Sequence, residues 1–295
     1  SRISAKLRDG ESTTNVPEAW RRVELARHTE RPSTLEYIRS MADEYVELHG
    51  DRAYGDDKAL VGGICTLDGV HCTFIGHQKG HNMKENLRRN YGMAHPEGYR
   101  KALRLAEQAA RFGRPIISFV DTFGAFPGVA SEERGISEAI ARNLRELSVV
   151  PTPIVTVVIG EGGSGGALGI AVADRVYMLE NAVYSVISPE GFASILLRDA
   201  QRNKEAAGLM KITSDDLLRF GLIDGIIREA PGGAHSDPSY TAVLVKKQIM
   251  AALGELRKLR PDALLRARSE RLLGMGALAP NGEREGLFGR RRNRR

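Results

Sequence analysis

The stretch TVVIGEGGSGGALGIAVAD, residues 156–174, decides how the rest of the chain is read. A β-branched apolar run ends at Ile159, glycines crowd the next positions, and small apolar residues follow. That order is a strand, a tight turn and a helix, because β-branched side chains suit a pleated surface and glycine turns the chain without steric cost. Three functions compete for the turn. Gly160-Glu161-Gly162-Gly163-Ser164-Gly165 fits a dinucleotide fingerprint, and Glu180 follows where a ribose-binding acid belongs. Gly162-Gly163-Ser164-Gly165-Gly166 fits a nucleophile elbow, with Asp224 and His235 following in hydrolase order. The third reading uses no side chain. A helix beginning at Gly165 leaves its first amide N–H groups unpaired, and such donors hold an oxygen that turns negative during a reaction.

The residues favour the third reading. The helix after the turn is short and apolar almost all round, unlike one lying on the face of a dinucleotide-binding sheet. Asp224 and His235 are eleven residues apart, tight for triad members on separate loops, and Ser164 is poorly oriented between glycines. A helix packed closely on its neighbours also needs small residues, so composition does not by itself separate a backbone site from simple packing.

Outward from the turn, the same unit occurs twice. RPIISFV (114–120), DTFGAFPG (121–128) and EERGISEAIARNLRELS (132–148) are strand, turn and helix. PIVTVVI (153–159), GEGGSGG (160–166) and ALGIAVA (167–173) repeat the order. Consecutive units of this kind predict an α/β fold with parallel strands and both turns at carboxyl ends. Upstream, Leu35, Ile38, Met41, Ala42, Tyr45 and Val46 fall at helical spacing, predicting one helix over 33–49 capped by Ser33. Strands at 59–66 and 70–76 meet at Asp68-Gly69, a hairpin signal. Residues 77–95 read as a long basic surface loop, and Pro96 opens a helix to 112. Short strands at 175–180 and 182–187, a helix at 189–197, a strand at 222–229 and a terminal helix over Tyr240–Leu259 complete the pattern. No linker interrupts it, so the expected organisation is a flexible arm (1–18), one domain (19–275) and a disordered basic tail (276–295).

Composition narrows the function classes. The chain of 295 residues is 42% hydrophobic, ordinary for a globular core, and no run approaches the roughly 18 apolar residues of a membrane span. The N-terminus has no apolar leader core. Cys65 and Cys72 are expected on neighbouring strands, with no second pair to complete a zinc site, in a reducing compartment. The net charge of +6 comes largely from Arg290, Arg291, Arg292, Arg294 and Arg295, a solubilising end or a polyanion contact. The body is near neutral, so nucleic-acid binding is not indicated.

Several segments, in order, resemble the alpha subunit of the bacterial and plastid acetyl-CoA carboxylase carboxyltransferase. They are RPSTLEYI, GDRAYGDDKALVGGI, GHQKG, EGYRKALRLAEQAARF, EERGISEAIARNLRE, VIGEGGSGGALGI, YSVISPEGFASIL and, near residue 231, PGGAH. They span roughly residues 19–253. The resemblance implies a crotonase-like ββα superhelix with an N-terminal helical arm and C-terminal helices. It implies a cytoplasmic or plastid-stromal α2β2 assembly whose beta subunit holds zinc on four cysteines, with no metal in this chain. It further implies biotin, as carboxybiotin on a biotin carboxyl carrier protein charged by biotin carboxylase. The carboxyl group would pass to acetyl-CoA, giving malonyl-CoA for fatty acid synthesis.

The resemblance also implies site residues. The amides of Gly165 and Gly166 would take the biotin ureido oxygen, beside Gly162 and Gly163, while the beta subunit supplies a matching pair for the acetyl enolate. Gly124, Ala125, Phe126 and Gly128 would form the other wall. The family commonly has Tyr at 126 and often Pro at 123, so a hydroxyl contact is in doubt here. Lys79, with Lys84, Arg88 and Arg89, would meet coenzyme A phosphates, a partner surface or only solvent. Members usually carry a long helical region before the part matching Trp20. The 19 residues here imply a trimmed, processed or fused chain.

Overall fold

Asp68 and Gly69 both take left-handed backbone (φ 47° and 75°), and this two-residue turn folds β2 (Leu60–Leu67) back onto β3 (Val70–His77). A primed turn of this kind matches the natural twist of paired strands. The computed structural model describes residues 16–276. A short edge strand, β1 (Glu44–Glu47), pairs antiparallel with β2. From β3 onward the sheet is parallel, through β4 (Ile116–Thr122), β5 (Ile154–Gly163), β6 (Arg175–Leu179) and β8 (Gly225–Ile227). The strand β7 (Val183–Ser185) lies off this path and pairs with the far end of β5. Every residue of β4 is buried, as expected of a central parallel strand covered on both faces.

The helices in chain order are α1 (Val16–Ala26), α2 (Thr34–Met41), α3 (Met83–Arg88), α4 (Pro96–Arg111), α5 (Val129–Glu133) and α6 (Ile136–Val149). After them come α7 (Ser164–Ala171), α8 (Pro189–Phe192), α9 (Asn203–Met210), α10 (Ser214–Arg219), α11 (Pro238–Leu256) and α12 (Pro261–Gly274). α8 runs on into a π-helical turn, Ala193–Leu197. One core cluster joins the sheet to α2, α4, α6, α7 and α11, and α1 has a small core of its own with Val183, Ala207 and Ile212.

Several boundaries differ from the sequence expectation. The helix expected over 33–49 stops at Met41, Ala42 is extended (ψ 142°), and Glu44–Glu47 joins the sheet. Gly63 makes this possible, since a Cβ there would lie 2.0 Å from the Val46 carbonyl. The basic segment 77–95 holds α3, capped by the Asn82 side chain. The helix expected over 132–148 breaks at Gly135 (φ 79°) into α5 and α6. Gly160–Gly163 are the end of β5 rather than a turn. The terminal helix ends at Leu256, and α12 follows it. Residues 16–18 are helical, so the arm does not extend to residue 18, while residues 1–15 and the basic tail from 277 lie outside the described residues.

Cys65 and Cys72 face each other in register on β2 and β3, both unbridged and buried. Burial pushes both thiols up to about 12. Among the described residues no helix is long and apolar enough to cross a membrane, and no cluster of metal-ligating side chains occurs.

Candidate active site

β4 and β5 run side by side in register as far as Val120 and Val158, then resume at Thr122 and Gly162. Asp121 therefore stands opposite Ile159, Gly160 and Glu161, a bulge in a parallel pair. The bulge bends β5, as bulges do, so that Glu161, Gly162 and Gly163 pair with Val183, Tyr184 and Ser185 of β7. Gly163 is extended, Ser164 is left-handed (φ 50°), and α7 starts there.

The loop after β4 lies directly on this start. A Cβ at Gly163 would be 2.1 Å from the Phe123 carbonyl oxygen, and one at Gly166 would be 2.3 Å from the Gly124 carbonyl carbon. Only glycine admits such approach. Gly165 is the opposite case, because a Cβ there would meet nothing within 4 Å. Among the described residues neither the Gly165 nor the Gly166 amide donates a hydrogen bond to a group outside α7, and both lie in the helix's first turn, where amides have no partner one turn earlier. Carbonyls along α7, from Gly166 onward, are well tied. The Tyr99 hydroxyl donates to the Gly166 carbonyl (3.1 Å), Asn143 to Gly169 (2.9 Å) and Ser118 to Ile170 (2.7 Å).

The second wall is the segment 122–128. The Thr122 hydroxyl donates to the Gly124 carbonyl (2.7 Å) and accepts from its amide (3.1 Å). Ala125 is half-buried between Gly124 and Phe126. The Phe126 amide donates to Ala94, and its ring packs on His95 with centroids 4.3 Å apart. Gly128 precedes α5. A small pocket lies between Phe123 and the glycine segment, lined also by Thr122, Glu161, Gly162, Gly163 and Ser185.

Lys79 stands elsewhere than the surface reading supposed. Its ammonium lies 2.7 Å from Asp121 Oδ1 and 3.6 Å from Glu161 Oε2, and 4.5 Å from the centroid of the exposed Phe123 ring. Arg27 donates to Glu161 (2.8 Å) and Glu190 (2.7 Å). Burial opposes the charge on Lys79, but Asp121 and Glu161 outweigh it and raise its pKa. Burial pushes the Glu161 carboxyl up, against the opposing pull of Lys79 and Arg27. Lys79, Asp121, Arg27 and Phe123 wall a cleft of about 150 Å³ that His81 and Tyr91 also line. The Lys79 charge is spent inside the molecule, which disfavours a phosphate contact there. Sequence reasoning missed Asp121, Arg27, Arg31 and Glu190. Asp121 had left a signal, a lone carboxylate ending the otherwise apolar run IISFVD.

The two side-chain readings of the glycine run do not hold. The first two fingerprint glycines, Gly160 and Gly162, belong to a strand, and Glu180 is held by Arg228 (2.6 Å). Asp224 accepts from the Val176 amide (2.7 Å) and Arg271 (3.0 Å), while His235 stacks on His28 with centroids 3.7 Å apart. No hydrogen bond links either of them to Ser164 among the described residues, so no triad forms.

The family model described as acetyl co-enzyme A carboxylase carboxyltransferase-like matches residues 3–276. The chain belongs to the acetyl-CoA carboxylase carboxyltransferase alpha family. A relative from Treponema denticola, named as the carboxyl transferase subunit alpha, is 57% identical over 276 residues, 94% of this chain and 90% of that protein. Its counterpart in Clostridium perfringens is 57% identical over 251 residues, 85% and 93% of the two chains. Among solved structures, the transcarboxylase 12S core superposes with a TM-score of 0.65 at 21% identity, covering 85% of this chain and 47% of that one. A Pseudomonas malonate decarboxylase hetero-tetramer gives 0.63 at 19%, covering 79% and 91%. At these identities the likeness shows the fold, the mixed α/β carboxyltransferase architecture that the sequence of this acetyl-CoA carboxylase alpha-family member implies.

Proposed function

We propose that the chain is the alpha half of an acetyl-CoA carboxylase carboxyltransferase, with the Gly165 and Gly166 amides as its oxyanion site. The observation that carries this reading is the pair of first-turn amides of α7 with no partner outside the helix among the described residues, and open space beside Gly165. Carboxybiotin, when bound, would supply the carboxyl group, and the Gly165 and Gly166 amides would hold its ureido oxygen, where negative charge would grow as the carboxyl group leaves. The two N–H groups point from a fixed helix end, so they stabilise that charge without reorganising. Loss of one such donor costs roughly 3 kcal/mol, on the order of a hundredfold in rate. Among the described residues no triad stands beside these amides. The ureido nitrogen would take the proton that the acetyl methyl group gives up, and the carboxyl group would pass to that carbon to give malonyl-CoA.

The acetyl group needs a second set of donors, and none stands out beside these amides among the described residues. We assign them to a beta subunit in an α2β2 assembly, served by a biotinylated carrier protein and its carboxylase. Leu168 on α7 and Val129 on α5 are exposed apolar side chains, of the kind that another polypeptide covers. Mixing the purified chain with a beta subunit, carboxylated carrier and acetyl-CoA tests the reading. Malonyl-CoA is expected only when both subunits are present; output no higher than with the beta subunit alone contradicts it.

A further inference from the structure

The bulge in β5 leaves backbone groups that the ladder does not serve. Two side chains from outside the strand serve them. Arg31 donates to the Ile159 carbonyl (2.6 Å), and Asp121 Oδ1 accepts from the Glu161 amide (3.0 Å). Arg31 is in turn paired with buried Glu229. The Asp121 carboxylate also presses on Gly160, where a Cβ would lie 2.4 Å from Oδ1. The same oxygen takes the Lys79 ammonium at 2.7 Å. Asp121 thus fills the bulge.

We propose that Asp121 is the positioning residue of this site, fixing the path of β5 into the Gly165 and Gly166 amides. The proposal rests on the reading of those amides given above. The segment from Glu161 to Gly166 is glycine at every position but Glu161 and Ser164, so it has almost no side chains with which to hold its own geometry. Its aim must come from an anchor at one end. Tyr99 holds the carbonyl of Gly166 itself, and Asn143 and Ser118 hold those of Gly169 and Ile170 further along α7. Upstream, Asp121 is the side-chain acceptor for the Glu161 amide, four residues before Gly165. A misplacement of about 1 Å at a reacting centre costs on the order of a hundredfold in rate.

Asp121→Ala and Asp121→Asn, each in complex with the beta subunit, separate positioning from simple stability. Both donors converge on Oδ1, so asparagine keeps the acceptor and alanine removes it. Asp121→Ala is expected to lower kcat about a hundredfold, with KM for acetyl-CoA changed less than about threefold, while Asp121→Asn stays within about fivefold of wild type in kcat. Asp121→Ser, too short to reach the Glu161 amide, should give the same loss if the alanine variant does not fold. Hydrogen exchange in the isolated chain gives a second readout. Amides of residues 161–166 should exchange at least about tenfold faster in the alanine or serine variant and not in the asparagine variant. Unchanged exchange, wild-type kcat in the alanine or serine variant, or an equal kcat loss in the asparagine variant overturns the proposal. If the wild-type complex transfers no carboxyl group, the reading of the amides fails instead, and the exchange comparison still decides the anchor.

Discussion

Gly165 and Gly166 are adjacent and chemically identical, yet their surroundings make opposite demands. Gly166 lies under the Gly124–Ala125 peptide, so Gly166→Ala forces two backbone segments apart. Overpacking of that kind costs about 1–3 kcal/mol, and chemical denaturation should show it. Gly165→Ala meets nothing within 4 Å, so its unfolding midpoint should match wild type. Its methyl group enters the space assigned to substrate, and carboxyl transfer should fall at least about tenfold. Unchanged transfer in a stable Gly165→Ala variant would move the reacting centre elsewhere. Ser164 has no triad partner among the described residues and already bears the cost of left-handed backbone, so Ser164→Ala should keep transfer with little change in stability. The glycine pair was legible in the sequence because glycine spacing directly reports where a side chain cannot fit. Lys79 was read differently from where it stands because its partner Asp121 is 42 residues away, and pairing across strands leaves no local pattern.

Among the elements, α12 shows why a helix can escape a sequence reading. Its inward face carries Arg268 and Arg271 where an apolar stripe would be sought. Arg268 is buried, with both Asp174 oxygens and the carbonyls of Leu147, Val150 and Thr152 around it. Asp174 also accepts from the Ile154 amide (2.7 Å), so this one pair pins α12 to the start of β5. Arg268→Ala leaves a buried carboxylate unpaired, and a loss of about 3–5 kcal/mol is expected in urea unfolding. A loss below about 1 kcal/mol would mean that α12 is held by its apolar contacts instead. The hairpin at Asp68-Gly69 and the helix at Pro96 were legible because their signals are local: left-handed turn residues and a proline at the first helical turn. The break at Gly135 and the strand at Glu44–Glu47 were not. Each depends on which neighbour the chain meets, and helical periodicity alone does not encode that.

At the scale of the molecule, stability and assembly carry separate expectations. Asp51 is buried, which works against its charge, but the Ala53 amide, Arg100 and the amides of Tyr54 and Gly55 hold its carboxyl at about 2, below its ordinary 3.8. A depressed carboxyl stabilises the fold above its unfolded pKa, and that contribution is lost as pH falls through the folded value. Acid unfolding should therefore steepen between pH 4 and pH 2, and Asp51→Asn should flatten that limb. An identical acid profile in the variant would assign the transition to other carboxyls. The order of strand and glycine units made the parallel sheet legible. The bulge was not, since it needs Asp121 and Arg31 to converge on one strand from distant positions. The most direct test of the oxyanion site is a structure of the assembled alpha and beta subunits with a biotinylated carrier bound. The ureido oxygen should lie about 3 Å from the amide nitrogens of Gly165 and Gly166. An oxygen held instead by a side chain, with those two amides left to water, would contradict the assignment.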